Sequence, residues 1–267
     1  MDLNKWRFNS GGQLEEKLIV SMTSYEPRLP KLHKVINSIL KQSVKPEKVC
    51  LWICTSDIKK IPQKVFKLEK YGLEIHECDD LKSYKKIIPC QQQFPDYTIV
   101  TCDDDVVYPI NWLKSLVDSH AMYPESILCH RARLITFRPD GKTNPYRFWP
   151  YIDFDLESAL VFPVGAGGVL YPAGCFHGDL TRDDIFMDIC QYGDDIWLKA
   201  MTSLVSRRCR RINHFDRFFR HVRGSQKVAL KKDNMCKRND RQIEKVFGKY
   251  SITDCLSKMI QAERTDI

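Results

Sequence analysis

The chain has 267 residues, of which 43% are hydrophobic and 28% are charged, so it can bury a full core without disulfides or structural metal ions. Its formal net charge of +8 would indicate nucleic acid or an anionic surface as partner if the excess were spread evenly. Residues 207–238, however, contain twelve Lys and Arg against two acids, which leaves 30 basic and 32 acidic residues elsewhere. The positive charge is therefore a property of one segment.

The first 125 residues alternate short apolar runs with helical periodicity, as βαβ units on a parallel sheet do. Strands are predicted at 17–22, 49–54, 73–77 and 98–102. Apolar residues three and four positions apart predict a helix over 32–40, and Gly72 is the expected end of a second helix. A basic, helix-like segment covers 82–93, and a further helix begins at Trp112.

The second half has a weaker pattern. Residues 126–135 predict strand, residues 138–162 predict a long loop, and residues 194–204 predict a helix that opens on acidic residues. We therefore expect an α/β fold with a mixed, mostly parallel central sheet flanked by helices, followed by a basic, partly helical C-terminal segment.

The cysteines and the N-terminus bear on the cell compartment. The eleven cysteines are scattered, odd in number and without a CxxC pair, which favours reduced thiols over disulfides or zinc. Residues 1–12 lack the apolar core of a signal peptide, and no run approaches the roughly 20 apolar residues of a membrane span. These features predict a cytoplasmic protein.

Three aspartates, Asp103, Asp104 and Asp105, directly follow the apolar run at 98–102. Ligands of open α/β sheets bind at the carboxyl ends of strands, and clustered carboxylates repel one another unless a cation lies between them. Oxygen ligands favour Mg²⁺ or Mn²⁺. The triplet fits the DxD motif of nucleotide-sugar transferases. It also fits the nucleophile motif of haloacid-dehalogenase-type phosphatases, with Asp103 and Asp105 as its acids, although that nucleophile normally follows the first strand of its fold.

Five stretches in this order resemble bacterial GT-A glycosyltransferases of the family 2 group, especially small capsule and lipopolysaccharide transferases. They are 20–25 (VSMTSY), 80–89 (DLKSYKKIIP), 100–109 (VTCDDDVVYP), 163–172 (PVGAGGVLYP) and 193–198 (GDDIWL). The resemblance implies a GT-A catalytic domain over 1–206. Its nucleotide-sugar half would cover about 15–125 and its acceptor half about 126–206, with residues 207–267 as a basic extension packed on or near the same domain.

The resemblance implies roles for residues of the donor site. Those that would bind the nucleotide sugar are Thr23, Ser24, Tyr25, Asp79, Asp80, Lys85, Asp103, Asp104, Gly167 and Gly168. Within this set, Asp79 or Asp80 would read the base, and Lys85, ahead of Lys86, would reach the base or the diphosphate. Asp105, with Asp103, would hold Mn²⁺ or Mg²⁺.

The resemblance also implies the reaction. Asp195, with Asp194 as the alternate, would be the general base of an inverting transfer. The donor would be a nucleoside-diphosphate sugar, with UDP-sugars as the first candidates, and the acceptor a saccharide or lipid-linked saccharide. Four aromatic residues could stack on acceptor sugars: Tyr146, Phe148, Trp149 and Tyr151. His214 and His221 lie where some GT-A enzymes supply a further metal ligand.

The basic segment, residues 207–238, has two candidate roles in addition to that of a solvated tail. It could close over the donor diphosphate, with Arg223, Ser225, Gln226 and Lys227 as candidate contacts. It could instead hold the enzyme at the inner face of the cell membrane, near anionic lipids, with Phe215, Phe218 and Phe219 entering the interface. A nucleic-acid-binding protein is the competing class, but no known nucleic-acid-binding signature accompanies the basic residues, and we expect no nucleic acid partner.

Overall fold

The computed structural model describes residues 17–212, 219–224 and 238–265. Within them the strands are β1 (Leu18–Thr23), β2 (Lys48–Cys54), β3 (Leu73–Cys78), β4 (Thr98–Cys102), β5 (Val106–Val107), β6 (Ile127–Cys129), β7 (Ala132–Leu134), β8 (Tyr151–Ile152), β9 (Leu156–Ser158), β10 (Val161–Pro163), β11 (Val169–Tyr171), β12 (Cys209–Arg211) and β13 (Arg220–His221). The α-helices are α1 (Leu29–Leu40), α2 (Thr55–Ile58), α3 (Gln63–Phe66), α4 (Ile88–Gln93), α5 (Trp112–Met122), α6 (Asp183–Ile189), α7 (Asp194–Ser203), α8 (Asn239–Tyr250) and α9 (Ile252–Thr265). Short 3₁₀ helices cover Glu26–Arg28, Glu69–Tyr71, Lys82–Lys86, Tyr146–Phe148 and Gly178–Thr181.

The central sheet has eight strands in the order β3-β2-β1-β4-β11-β6-β12-β9. The first four run parallel, β11 is antiparallel to both β4 and β6, and β12 is parallel to β6. Two further sheets, β10-β7-β8 and β13-β5, flank it. The predicted α/β fold with a mixed, mostly parallel central sheet is confirmed.

Both faces of β1, β2 and β4 are buried, which explains their apolar runs, whereas the edge strand β3 is only partly buried. Alternate residues belong to two separate apolar clusters: Ile19 lies in one, and Leu18 and Val20 lie in the other. Because successive side chains of a strand point to opposite faces, the two clusters cover opposite faces of the sheet. Helix α1 packs its predicted apolar stripe into the second cluster.

The prediction for the second half was right in one place and wrong in another. Residues 126–135 are strand as predicted, divided into β6 and β7, which belong to different sheets. Residues 138–162 contain a 3₁₀ helix and three strands where a long loop was expected. These strands are two or three residues long, too short for an alternation of polar and apolar side chains to be recognised.

The chain beyond residue 206 returns to the same fold. Strand β12 lies inside the central sheet, between β6 and β9. Helix α8 packs on α7, and α9 packs on both. Among the helices of the described residues, none has the length and apolar character that crossing a membrane requires.

Candidate active site

The carboxyl ends of β1 and β4 open into a cavity of about 660 Å³. Neighbouring parallel strands end at the same edge of a sheet, so residues distant in sequence meet there. The wall of the cavity contains Thr23–Tyr25 after β1, Asp103–Asp105 after β4, and Asp194 and Asp195 at the start of α7. Two clusters of acids, the Asp103–Asp105 triplet and the Asp194–Asp195 pair, therefore share one cavity.

The triplet is held by neighbours from β1 and the turn that follows it. The Ser24 hydroxyl donates a hydrogen bond to Asp104 Oδ2 at 2.6 Å. The Arg28 guanidinium forms an ion pair with Asp104, and its Nη2 lies 3.3 Å from Asp105 Oδ2. The backbone N–H of Asp103 donates to the Tyr108 hydroxyl at 2.8 Å. Arg28, which sequence reasoning missed, thus spans two of the three carboxylates.

Even with Arg28 in place, the triplet carries excess negative charge. Burial is the main cause that raises the pKa of Asp104 and Asp105, and the charge of Asp103 raises the pKa of Asp105 further. Arg28 opposes both shifts. A cation bound by Asp103 and Asp105 would relieve this repulsion, and their oxygens are the donors that Mg²⁺ and Mn²⁺ accept.

A short ribbon brings a histidine to the triplet. Strand β13 pairs with β5, so His221 lies opposite Val106. The N–H of Val222 donates to the Asp105 carbonyl at 2.8 Å, and His221 Nδ1 lies 3.8 Å from Asp105 Oδ2. Only the pairing of two distant segments reveals this proximity, because nothing in the local spacing of His221 marks it.

The Asp194–Asp195 pair lies at the N-terminus of α7, where the helix dipole favours negative charge. Lys86 Nζ lies 2.8 Å from Asp194 Oδ2 and 3.6 Å from Asp103 Oδ1, so one ammonium links the two acid clusters. The Ser83 hydroxyl donates to Asp194 Oδ1 at 2.8 Å. Asp194 is therefore engaged on both oxygens.

Asp195 has a different environment. Its Oδ2 accepts a hydrogen bond from the Gly165 N–H at 3.1 Å, and the residue keeps part of its surface open to the cavity. Burial and the charge of Asp194 raise the pKa of Asp195 to about 7, although Lys86 and the Gly165 N–H lower it. A Cβ on residue 165 would lie 2.8 Å from Asp195 Oδ1, so glycine is what allows this approach. Asp195 can therefore exchange a proton near neutral pH.

Gly167 and Gly168 shape the loop behind the cavity wall. Both have positive φ, and a Cβ on Gly168 would lie 2.4 Å from the Trp112 ring. The Trp112 indole donates to the Gly167 carbonyl at 2.6 Å. Of the glycine-rich run, Gly165 and Ala166 are the residues that line the cavity.

The predicted nucleotide-binding residues divide into two groups. Thr23, Ser24 and Tyr25 lie in the cavity wall, as do Asp80 and Lys85, whose Nζ is 3.7 Å from Asp80 Oδ1. Asp79 is exposed and stands apart from the wall. Between the two aspartates, the structure therefore places Asp80 at the cavity.

The aromatic residues of 146–151 also divide. Tyr146 and Tyr151 line the cavity, whereas Trp149 is 1% exposed and packs into the core. Phe148 is 60% exposed. In the basic segment, the Arg223 carbonyl accepts a hydrogen bond from Lys31 at 2.7 Å, and Phe219 packs against Tyr108. The other residues predicted to act there lie outside the described residues: His214, Phe215, Phe218, Ser225, Gln226 and Lys227.

Solved structures with a similar fold include S. aureus TarS 1–349. The complex of that protein with UDP-GlcNAc matches at a TM-score of 0.50 and 14% identity over 74% of this chain and 56% of that chain. TarS 1–349 without a named ligand matches at a TM-score of 0.47 and the same identity, with 74% and 58% covered. The chain thus spans little more than half the length of these structures. No family model and no curated protein sequence matches. At this identity the likeness concerns the fold, and it confirms the predicted GT-A fold.

Proposed function

We propose that the protein is a metal-dependent glycosyltransferase. It moves a sugar from a nucleoside-diphosphate sugar to a hydroxyl of a saccharide or lipid-linked saccharide in cell-surface polysaccharide synthesis. UDP-sugars are the first candidate donors. The observation that carries the proposal is the pair of acid clusters in one cavity: a carboxylate triplet suited to a cation, facing a carboxylate whose pKa is about 7. The fold shared with TarS, which was solved with UDP-GlcNAc, supports a nucleotide-sugar donor.

The donor would lie over the carboxyl ends of β1 and β4. Asp80 offers a carboxylate to a base, and Lys85 offers a cation to the base or diphosphate; both line the cavity together with Thr23–Tyr25. Ser24 and Arg28 hold the Asp104 carboxylate in place. Asp104 would therefore meet the nucleotide sugar as a fixed side chain. This arrangement supports the predicted nucleotide pocket.

Asp103 and Asp105 would hold Mn²⁺ or Mg²⁺, with His221 beside Asp105 as a further candidate ligand. The residues fit such an ion because their donors are carboxylate oxygens in a part-buried site with excess negative charge. When bound, the ion would neutralise the charge that develops on the diphosphate leaving group. Arg28 lies against the same carboxylates and limits their mobility.

Asp195 would take the proton from the acceptor hydroxyl while that oxygen attacks the anomeric carbon. A general base works best when its pKa is near the working pH, and Asp195 meets that condition. Asp194 remains the alternate, but Lys86 and Ser83 occupy both of its oxygens. The inverting course of this transfer is what the resemblance implies.

The proposal is tested by a screen of nucleotide sugars for slow hydrolysis, in which water replaces the acceptor. With Mn²⁺ present, we expect release of free UDP from at least one UDP-sugar and no cleavage of simple phosphomonoesters. Cleavage of the monoesters alone would indicate the phosphatase alternative. Thermal stabilisation by oligonucleotides, without any by UDP and Mn²⁺, would indicate the nucleic-acid alternative.

The proposed place of the reaction is the cytoplasm, at the inner face of the cell membrane, where the basic segment would meet anionic lipids. Vesicles of anionic phospholipid should sediment the protein at low salt and release it at high salt, whereas vesicles of neutral phospholipid should not sediment it.

A further inference from the structure

The cationic side chains that line the cavity fall into two classes. In the described part of the chain, Lys and Arg contribute six of the lining residues: Arg28, Lys82, Lys85, Lys86, Arg131 and Arg133. The first four form ion pairs with aspartates of the same cavity. Arg131 and Arg133 form no ion pair with any described carboxylate. The guanidinium groups of these two arginines, one in β7 and one directly before it, are therefore not held by an acid of the described cavity wall.

Arg133 is fixed in place. Its guanidinium lies 4.8 Å from the ring centre of Tyr146 and 3.9 Å from that of Tyr151, and its Nη1 donates to the Trp149 carbonyl at 2.6 Å. The residue is 4% exposed, and its Nε is buried without a hydrogen-bond partner among the described atoms. A buried cation with an unmet donor costs stability unless a ligand supplies the missing charge.

The two arginines belong to the side of the cavity where the proton is exchanged. The charge of Asp195 raises the pKa of Tyr146, after burial as the main cause, while Arg133 lowers it, so Tyr146 lies near both charges. Arg131 is half-buried, and its Cγ and Cδ pack close to Gly167, in the loop whose Gly165 N–H binds Asp195.

The neighbouring aromatic residues suit a sugar ring. Tyr151 is 53% exposed and lines the cavity, and two further exposed rings, Phe148 and Phe154, each lie three residues from it in the chain. Rigid aromatic rings offer apolar contact at low entropic cost, and an arginine beneath them offers a planar fork for carboxylate or phosphate oxygens. The combination favours a sugar that carries an acidic group.

We propose that the acceptor is an anionic saccharide, whose phosphate or carboxylate binds Arg131 and Arg133 while its ring packs on Tyr151 and its hydroxyl faces Asp195. This inference rests on the proposed function, because it names the class of acceptor for the same reaction. It excludes neutral saccharides as the preferred acceptor. The diphosphate of the donor is the competing ligand for these arginines, and the experiment below separates the two.

The test compares the affinities of neutral and acidic sugars by titration calorimetry, with UDP and Mn²⁺ present. The probes are glucose, galactose and N-acetylglucosamine, each with its 6-phosphate, and glucose and galactose each with its uronic acid. For at least one of these sugars we expect the acidic form to bind about tenfold or more tightly than the neutral form. Comparison of the 6-phosphates with the uronic acids shows whether the protein recognises phosphate or carboxylate. Equal affinity of acidic and neutral forms for every ring would overturn the proposal.

Two variants assign the preference to the arginines. Arg131→Met and Arg133→Met should each reduce the preference to about threefold or less and leave the Kd for UDP unchanged. The matched control is Arg147→Met, because Arg147 lies in the same region, stacks on Phe148 and stands outside the cavity wall. That variant should keep both the charge preference and the rate of nucleotide-sugar hydrolysis.

Arg133→Lys covers the case in which Arg133→Met does not fold, since it keeps the charge but loses the planar fork; it should bind the acidic probe with intermediate affinity. If folded Arg131 and Arg133 variants keep the preference for acidic sugars, the proposal is contradicted. A loss of UDP affinity in both variants also contradicts it, because the arginines would then bind the donor. If the wild-type protein hydrolyses a nucleotide sugar but shows no charge preference, the acceptor inference fails alone. If it hydrolyses none, the proposed function fails.

Discussion

The two acid clusters of the cavity differ in how their negative charge is balanced. In the triplet, Arg28 spans Asp104 and Asp105, and the carboxylates keep excess negative charge that suits a bound cation. In the pair, Lys86 and Ser83 satisfy Asp194, which leaves Asp195 with one backbone N–H and a pKa of about 7. The same residue type thus becomes a fixed negative charge in one place and a proton acceptor in the other, because the neighbours differ.

The largest expected effect comes from removing the proton acceptor. Asp195→Asn should reduce nucleotide-sugar hydrolysis by about 10³-fold, because no other described carboxylate in the pair is free to accept a proton. The Kd for UDP with Mn²⁺ should stay within about twofold of the wild-type value, since Asp195 is not one of the residues proposed to hold the metal ion or the nucleotide. Asp183→Asn, at the exposed start of α6, is the control and should retain full activity. Loss of UDP affinity with turnover retained would reverse the roles given to the two clusters.

The next effect concerns the cation at the triplet. Asp105→Asn should lower hydrolysis by about a hundredfold, because it removes a carboxylate ligand from the proposed metal site. Treatment of the wild-type protein with EDTA should have a similar effect, which added Mn²⁺ should reverse in the wild type but only weakly in the variant. Full activity of the EDTA-treated protein would exclude the metal role of the triplet.

A smaller effect on the hydrolysis rate is expected from Lys86, whose ammonium links the two acid clusters. Lys86→Met removes a positive charge that lowers the pKa of Asp195, so that pKa should rise above 7. Hydrolysis at pH 7 should fall about fivefold and recover as the pH rises, because a larger share of Asp195 is protonated at neutral pH. Lys82→Met is the control: Lys82 pairs with Asp80 instead, and the pH profile should not move. A uniform loss of rate at every pH would show that Lys86 acts on structure alone.

The parallel half of the fold could be predicted because β1, β2 and β4 are buried on both faces and α1 carries one apolar stripe. The run at 98–102 and the three aspartates after it were recognisable for the same reason: a strand of five buried residues ends where the polar residues begin. The short strands between 151 and 163 could not be predicted, since two or three residues show no period.

The site could be predicted in its acids but not in its cations. Thr23–Tyr25, Asp103–Asp105 and the pair at α7 follow recognisable strand ends or a helix start, and the structure brings them to one cavity. Which lysine or arginine meets them depends on long-range packing: Lys86 rather than Lys85 reaches Asp194, and Arg28 reaches the triplet. Trp149 was one of four aromatic residues that could stack on an acceptor sugar, but it is buried against Phe162, and its carbonyl binds Arg133.

The pH dependence of nucleotide-sugar hydrolysis tests most directly the claim that Asp195 takes the proton. The folded-state pKa of Asp195 is raised from 3.8 to about 7, so the carboxylate is protonated and inactive below that pH and ionised and active above it. For the wild-type protein we predict a hydrolysis rate that rises with pH to a plateau, with an apparent pKa near 7. The residual activity of Asp195→Asn should not show this rise. A rate that is flat from pH 5 to 9, or a rise that persists unchanged in the variant, would contradict the account.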